Sequence, residues 1–139
     1  MSISNYEAKP ITPSADDYFR LRQVAGLSSK SREAIAVGLP NTLYAVTVYF
    51  KDDSSVVGMG RVIGDGGLFA QVVDIAVEPK HQGLGVGKTI VQMITDWLKA
   101  NLPKGAYVSL LADGEAYRLY EKFGFELTAP ASVGMALRL

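Results

Sequence analysis

The chain has 139 residues, 48% of them hydrophobic and 20% charged, with 14 basic and 14 acidic side chains balancing to zero. That length buries a core unaided. Balanced charge argues against a nucleic-acid partner, and the lack of cysteine excludes disulfides, thiolate metal sites and a cysteine nucleophile, so no metal is expected.

In chain order, YEAKPI (6–11) is an opening strand candidate. SADDYFRLRQVAGL (14–27) reads as a helix with Ser14 as N-cap and Gly26 at its end, and SREAIAVGL (31–39) as a second helix closed by Gly38 and Pro40. TLYAVTVYF (42–50) and SVVGMGRVI (55–63) flank KDDS and form a hairpin signal. GDGG (64–67) is a further turn, and LFAQVVDIAV (68–77) a third strand. Val86, Ile90, Val91, Ile94, Trp97 and Leu98 then share one face of a helix that ends before Pro103.

AYVSLL (106–111) returns to strand character, and Ala116, Leu119, Tyr120 and Phe123 mark a helix over 115–123 stopped by Gly124. FELT (125–128) and VGMALRL (133–139) close the chain as predicted strands. The order β-α-α-β-β-β-α-β-α-β-β packs most simply as one mixed sheet with helices on both faces. No run approaches the ~20 apolar residues of a membrane span, and the N-terminus has no apolar signal-peptide core. The expectation is one cytoplasmic domain over residues 1–139, with no membrane partner.

The loop HQGLGVGKT (81–89) resembles a P-loop but misses its spacing. Five positions before Gly87 stands Gln82 where a glycine is required. The dinucleotide fingerprint fails as well, since its third glycine falls on Lys88. A strand still enters a glycine-rich turn that opens a long helix, which aims several N–H groups and the positive helix end at one anion. Three glycines at alternate positions exceed what a tight turn alone needs.

Gln82-Gly83-Leu84-Gly85-Val86-Gly87 after Ala76-Val77-Glu78-Pro79 resembles the pyrophosphate-binding motif of the GNAT superfamily of acyl-CoA N-acyltransferases. The run from Ala116 to Phe125, AYRLYEKFGF, resembles that family's second motif, and the likeness spans about residues 69–127. The resemblance implies an α/β fold: a single mixed, splayed sheet of about six to seven strands with about four helices. It implies acetyl-CoA as acetyl donor, with its pantetheine arm along Ile75, Ala76 and Val77 and its pyrophosphate at the amides of Gln82 to Lys88. Lys88 either adds charge there or is a helix-surface lysine. Tyr117 joins the cofactor contacts. Asp113 stands where many relatives have asparagine; it is either a cofactor contact or the N-cap of the 115–123 helix.

Acetyl transfer to an amine needs a neutral amine, a polarised thioester and a proton for the thiolate. An N–H near Val77 suits the second task. Tyr120, a phenol with an ordinary pKa near 10, suits the third, and the resemblance puts the family's proton donor there; packing in its helix is the alternative. Asp74 is the only ionisable residue in QVVDIAV, and a charge there is costly unless paired or functional. It is either the base or ammonium anchor, or a structural ion pair. By strict alternation it shares a face with Val72 and Ala76, unless a bulge intervenes.

His81, the only histidine, reads as a surface residue beside the glycine loop. Tyr6, Tyr18, Phe19, Leu27, Leu39, Tyr44 and Phe69 are candidates for an apolar acceptor wall, and Lys30, Arg32 and Arg61 are scattered candidates for a phosphate. The expected acceptor is a small-molecule amine (arylalkylamine, polyamine or an amino sugar such as glucosamine), acetylated by direct attack. A protein or peptide acetyltransferase, and a non-catalytic acyl-CoA-binding module, are the alternatives. Strand edges near the C-terminus make a homodimer a further expectation.

Overall fold

The computed structural model describes residues 3–139, so Met1 and Ser2 of the expected domain lie outside it. Five strands, β1 (Tyr6–Lys9), β2 (Tyr44–Phe50), β3 (Val56–Gly64), β4 (Phe69–Val77) and β5 (Tyr107–Ser109), form one sheet in the order β1-β2-β3-β4-β5. Neighbours are antiparallel up to β4, and β5 joins β4 in parallel. That parallel step requires a crossover, supplied by α3 (Val86–Asn101). α1 (Ala15–Val24), α2 (Arg32–Gly38) and α4 (Tyr117–Glu121) complete the helices.

Local chemistry sets several boundaries. The Ser14 hydroxyl accepts from the Asp17 N–H at 3.1 Å, and Ser31 does the same for Ala34 at 3.0 Å, capping α1 and α2. Asp65 Oδ1 accepts from the N–H groups of Gly67, Leu68 and Phe69, which folds the β3–β4 turn and holds its carboxyl below the usual carboxylate range. No helix among the described residues is long and apolar enough to cross a membrane.

Two cores sandwich the sheet. Val86, Ile90, Ile94 and Leu98 of α3 pack on Val46, Val48, Val57, Val62, Ala70 and Val72. Tyr18 and Leu21 of α1 and Ile35 of α2 pack with Leu39 on Val56, Met59 and Ala76 of the other face. Gly60 lets α3 seat closely: a Cβ there would lie 2.6 Å from Ile75 Cδ1, 2.6 Å from Ile90 Cγ2 and 3.0 Å from Ile94 Cδ1. Gly60→Ala is therefore expected to cost about 1–3 kcal/mol by overpacking, read in urea unfolding. An unchanged midpoint would show that those isoleucines simply turn aside.

The C-terminal strands expected at 125–128 and 133–139 do not form; this stretch has no strand, and the sheet has five strands rather than six to seven. A strand exists only by pairing, and β5 offers just three residues, already paired with β4 on one side. The helix expected over 115–123 is likewise only Tyr117–Glu121.

Candidate active site

β4 and β5 pair only at Phe69–Tyr107, Ala70–Val108 and Gln71–Ser109, so beyond Gln71 the two strands part. The Glu78 N–H donates to Val57 O at 2.8 Å, and Gly58 stands opposite Val77. In an antiparallel ladder this makes Gly58–Val77 a pair that exchanges no bonds of its own. The N–H and C=O of Val77 therefore face the opened gap, and Ile75, two residues back, shares that direction by alternation. Ala76 does not: its backbone faces Met59 of β3, and its side chain is buried against α1 and α2. This direction does not favour the expected cofactor contact at Ala76.

The glycine loop sits at the end of this gap. After a tight turn at Pro79–His81, Gly83 and Gly85 adopt φ of +75° and +92°, a region that side chains disfavour. Gly85 is the N-cap of α3 and brings no capping side chain. Thr89 is the first residue to donate back, to Gly85 O at 3.0 Å, so the N–H groups of Val86, Gly87 and Lys88 are left at the helix end. The Val86 side chain is buried and Leu84 packs against the same core, so both contribute backbone to the loop; Lys88 is exposed. The Gln82 side chain donates to Val77 O at 2.9 Å and ties the loop to the strand end, a contact the sequence did not signal. A Cβ on Gly87 would lie 3.8 Å from Val77 Cγ2 and 4.0 Å from Leu119 Cδ2. Strand end, loop and α4 thus meet at one point.

α4 carries Tyr120 into a cleft of about 890 Å³ lined by β5 and the residues after it, α4, the C-terminal half of α3, residues 123–128 and the C-terminal stretch 134–136. Asp113 and Tyr117 line the same cleft. Burial first, and then the charge of Asp113, raise the Tyr120 phenol above its ordinary pKa of 10.0. The hydroxyl therefore keeps its proton at neutral pH. Asp113 is exposed and does not cap the helix: the N-cap of α4 is Ala116, without a side-chain bond, and Asp113 contributes only its carbonyl, to the Ala116 N–H at 3.0 Å.

Asp74 occupies a bulge. Met59 pairs with Ala76 and Arg61 with Val73, two steps on β3 against three on β4, and Asp74 takes φ +60° in the extra position. The bulge breaks the expected alternation: Val72 and Ile75 both pack on the α3 side, while Asp74 faces α1 with Ala76. Its side chain is 6% exposed. Oδ1 accepts from Arg22 Nη1, and Oδ2 accepts from Arg61 Nε and from the Tyr18 hydroxyl, each at 2.9 Å. Arg22 is further held by Ser28 O, and Arg61 by Thr42 Oγ1. Three donors occupy a carboxylate with about four acceptor positions. Such a group is badly placed to take a proton from an amine, and this geometry favours the ion-pair reading of Asp74 over the base. Arg22 and Tyr18 were missed as its partners; nothing local in the α1 sequence distinguishes them.

The other expectations fare unevenly. His81 is buried rather than on the surface: its Nδ1 lies 2.8 Å from the Tyr6 hydroxyl, and its ring packs on Tyr6 and Phe50. The candidate apolar wall is not one surface. Tyr6 and Tyr44 belong to the α3 side, where Tyr44 stacks on Trp97; Tyr18, Phe19, Leu27 and Leu39 lie on the α1 side; Phe69 is exposed against Tyr107. Arg61 is buried on Asp74 and Arg32 pairs with exposed Asp16, so no phosphate cluster assembles from them. Among the described residues, no three His, Asp or Glu side chains converge as a metal site would require.

Residues 44–127 match the family model described as an acetyltransferase (GNAT) domain. A probable acetyltransferase of unknown function from meticillin-resistant Staphylococcus aureus is 46% identical, with a TM-score of 0.90 over 96% of this chain and 99% of its own. The uncharacterized N-acetyltransferase ycf52 of Pyropia yezoensis is 28% identical over 103 residues, 72% of this chain and 58% of that relative. The chloroplastic serotonin N-acetyltransferase 2 of Oryza sativa subsp. japonica is 31% identical over 99 residues, 67% of this chain and 48% of its own. The chain thus spans about half to three-fifths of the length of these two curated relatives. The split between β4 and β5, the glycine turn opening α3 and the tyrosine of α4 stand within the matched region, and the chain belongs to the GNAT acetyltransferase family.

Proposed function

We propose that this chain is an acetyl-CoA-dependent N-acetyltransferase that acts on the primary amine of a small molecule by direct attack. The observation that carries the reading is the meeting of Val77, Gly87 and α4, with the protonated Tyr120 in the adjoining cleft. Acetyl-CoA, when bound, supplies the thioester that the amine attacks. The residues fit such a donor. The N–H groups from Gly83 to Lys88 offer a cradle for its pyrophosphate, and the gap-facing backbone of Ile75 together with the Val77 N–H offers the pairing that a pantetheine amide uses, the Val77 carbonyl already accepting from the Gln82 side chain.

Tyr120 holds the proton for the departing thiolate, and the backbone of β4 polarises the carbonyl. Asp113 and Tyr117, which line the same cleft as Tyr120, are the further cofactor contacts in this reading. With both Asp74 oxygens engaged, the amine enters neutral or gives its proton to water.

A panel of arylalkylamines including serotonin, polyamines, glucosamine and a lysine peptide, assayed with acetyl-CoA by thiol release, tests the reading. Turnover with small amines is expected. Release with the peptide alone would make this a protein acetyltransferase, and binding of acetyl-CoA with no release anywhere would leave a binding module. A burst of free thiol with an acetylated peptide of the protein in mass spectra would overturn direct attack.

A further inference from the structure

Of the described residues between Val77 and Val86, only His81 is buried. Pro79, Lys80, Gln82, Gly83 and Gly85 are exposed, and Leu84 is half-buried. Gly83 and Gly85 bring no side chain to the turn, and Gly85 caps α3 without a side-chain bond. Glycine loses the most conformational freedom on ordering, so a turn built from it binds an anion well only if something holds it in place beforehand. Downstream, Val86 anchors it in the core. Upstream, the Gln82 amide ties it to Val77 O from the solvent side, and His81 enters from the inside. The His81 N–H also donates to Glu78 O at 2.8 Å, closing the tight turn two residues before Gly83.

A buried polar ring needs a polar partner. This one finds it 75 residues earlier, where Nδ1 lies 2.8 Å from the Tyr6 hydroxyl. Tyr6 opens β1 and is itself fixed. It stands opposite Phe50 of β2, and the Lys51 N–H donates to Asn5 O at 2.9 Å. The rings of Tyr6, Phe50 and His81 pack together at 4.7 to 5.5 Å between centroids. An apolar side chain at position 81 would fill the same space; what histidine adds is a directional bond to the edge strand of the sheet. β1 precedes residues 44–127, so this anchor lies outside the region that matches the family model.

Given the reading of the glycine turn as a pyrophosphate cradle, on which this rests, we infer that Tyr6 and His81 are positioning residues for the cofactor. Through one buried bond, β1 holds the turn in its anion-binding form. Both side chains act through the loop rather than by touching the cofactor.

Calorimetric titration with acetyl-CoA tests this in Tyr6→Phe, His81→Leu and the double variant, each at a temperature where urea unfolding shows it folded. Each single variant is expected to bind acetyl-CoA about ten-fold more weakly. That is about 1.4 kcal/mol, within the range for leaving a buried group unsatisfied. Either change removes the same bond, so the double variant should bind no more weakly than the singles. His81→Asn, whose amide offers a donor and an acceptor near the place of Nδ1, should recover most of the affinity. A pair that served stability alone would lower the urea midpoint and leave the dissociation constant of the folded protein unchanged. Unchanged affinity in Tyr6→Phe, additive losses in the double variant, or no recovery in His81→Asn would each overturn the proposal and leave the acetyl-CoA reading intact. A wild type that does not bind acetyl-CoA would end both.

Discussion

Asp74→Asn is expected to cost about 3–5 kcal/mol of stability, the range for breaking a buried ion pair by removing one partner. The carboxylate is the one anion shared by two guanidinium groups whose side chains are 9% and 10% exposed. Asparagine keeps one acceptor oxygen and turns an NH₂ toward donors that already lack a partner, leaving two buried cations without a counter-charge. The backbone does not confuse the result. Asp74 takes φ +60°, a conformation that asparagine tolerates at least as well as aspartate. Alanine would add backbone strain to the loss of charge, and is the poorer probe.

The consequence reaches the site through the bulge. Arg22 and Tyr18 come from α1 and Arg61 from β3, so Asp74 pins both elements to β4 where that strand turns away from β5. Urea unfolding and initial rates, measured on the same preparation, separate the two readings. A large fall in midpoint supports the structural hub. Wild-type stability with a collapse of turnover would restore Asp74 as the base.

The local grammar of the chain was legible because it rests on near neighbours. Ser14 caps the helix it precedes, and Val86, Ile90, Val91, Ile94 and Leu98 are buried on one face of α3 as their period requires. The glycine turn was readable for the same reason, since φ at Gly83 and Gly85 is a property of the turn itself. What failed depended on distance along the chain. The partners of Asp74 stand 13, 52 and 56 residues away, and a single extra residue in β4 reversed the face that alternation assigned to Val72. His81 looked like a loop residue until Tyr6, 75 positions earlier, closed over it. The tail shows the converse. Alternation at Val133, Met135, Leu137 and Leu139 says that the segment can pair, but a sequence does not say with which edge.

Tyr120→Phe is expected to lower kcat at least about 10²-fold, the lower end of what a positioned general acid contributes, while acetyl-CoA binds within a few-fold of wild type. The substitution removes one hydroxyl. The ring stays where it is, edge-on to Phe125 at 6.1 Å between centroids, so the fold should change by no more than about 1 kcal/mol. The pH profile makes the test sharper. Burial and then Asp113 raise the phenol above its ordinary value of 10.0, so the proton-bearing form persists through neutral and mildly alkaline pH and is lost only as pH climbs past that value. Wild-type kcat should therefore hold level on this account until above pH 10, and the limb beyond should be absent in the phenylalanine variant. Calorimetry on acetyl-CoA separates binding from chemistry. An unchanged kcat in Tyr120→Phe would mean that water protonates the thiolate and that this tyrosine serves α4 as packing alone.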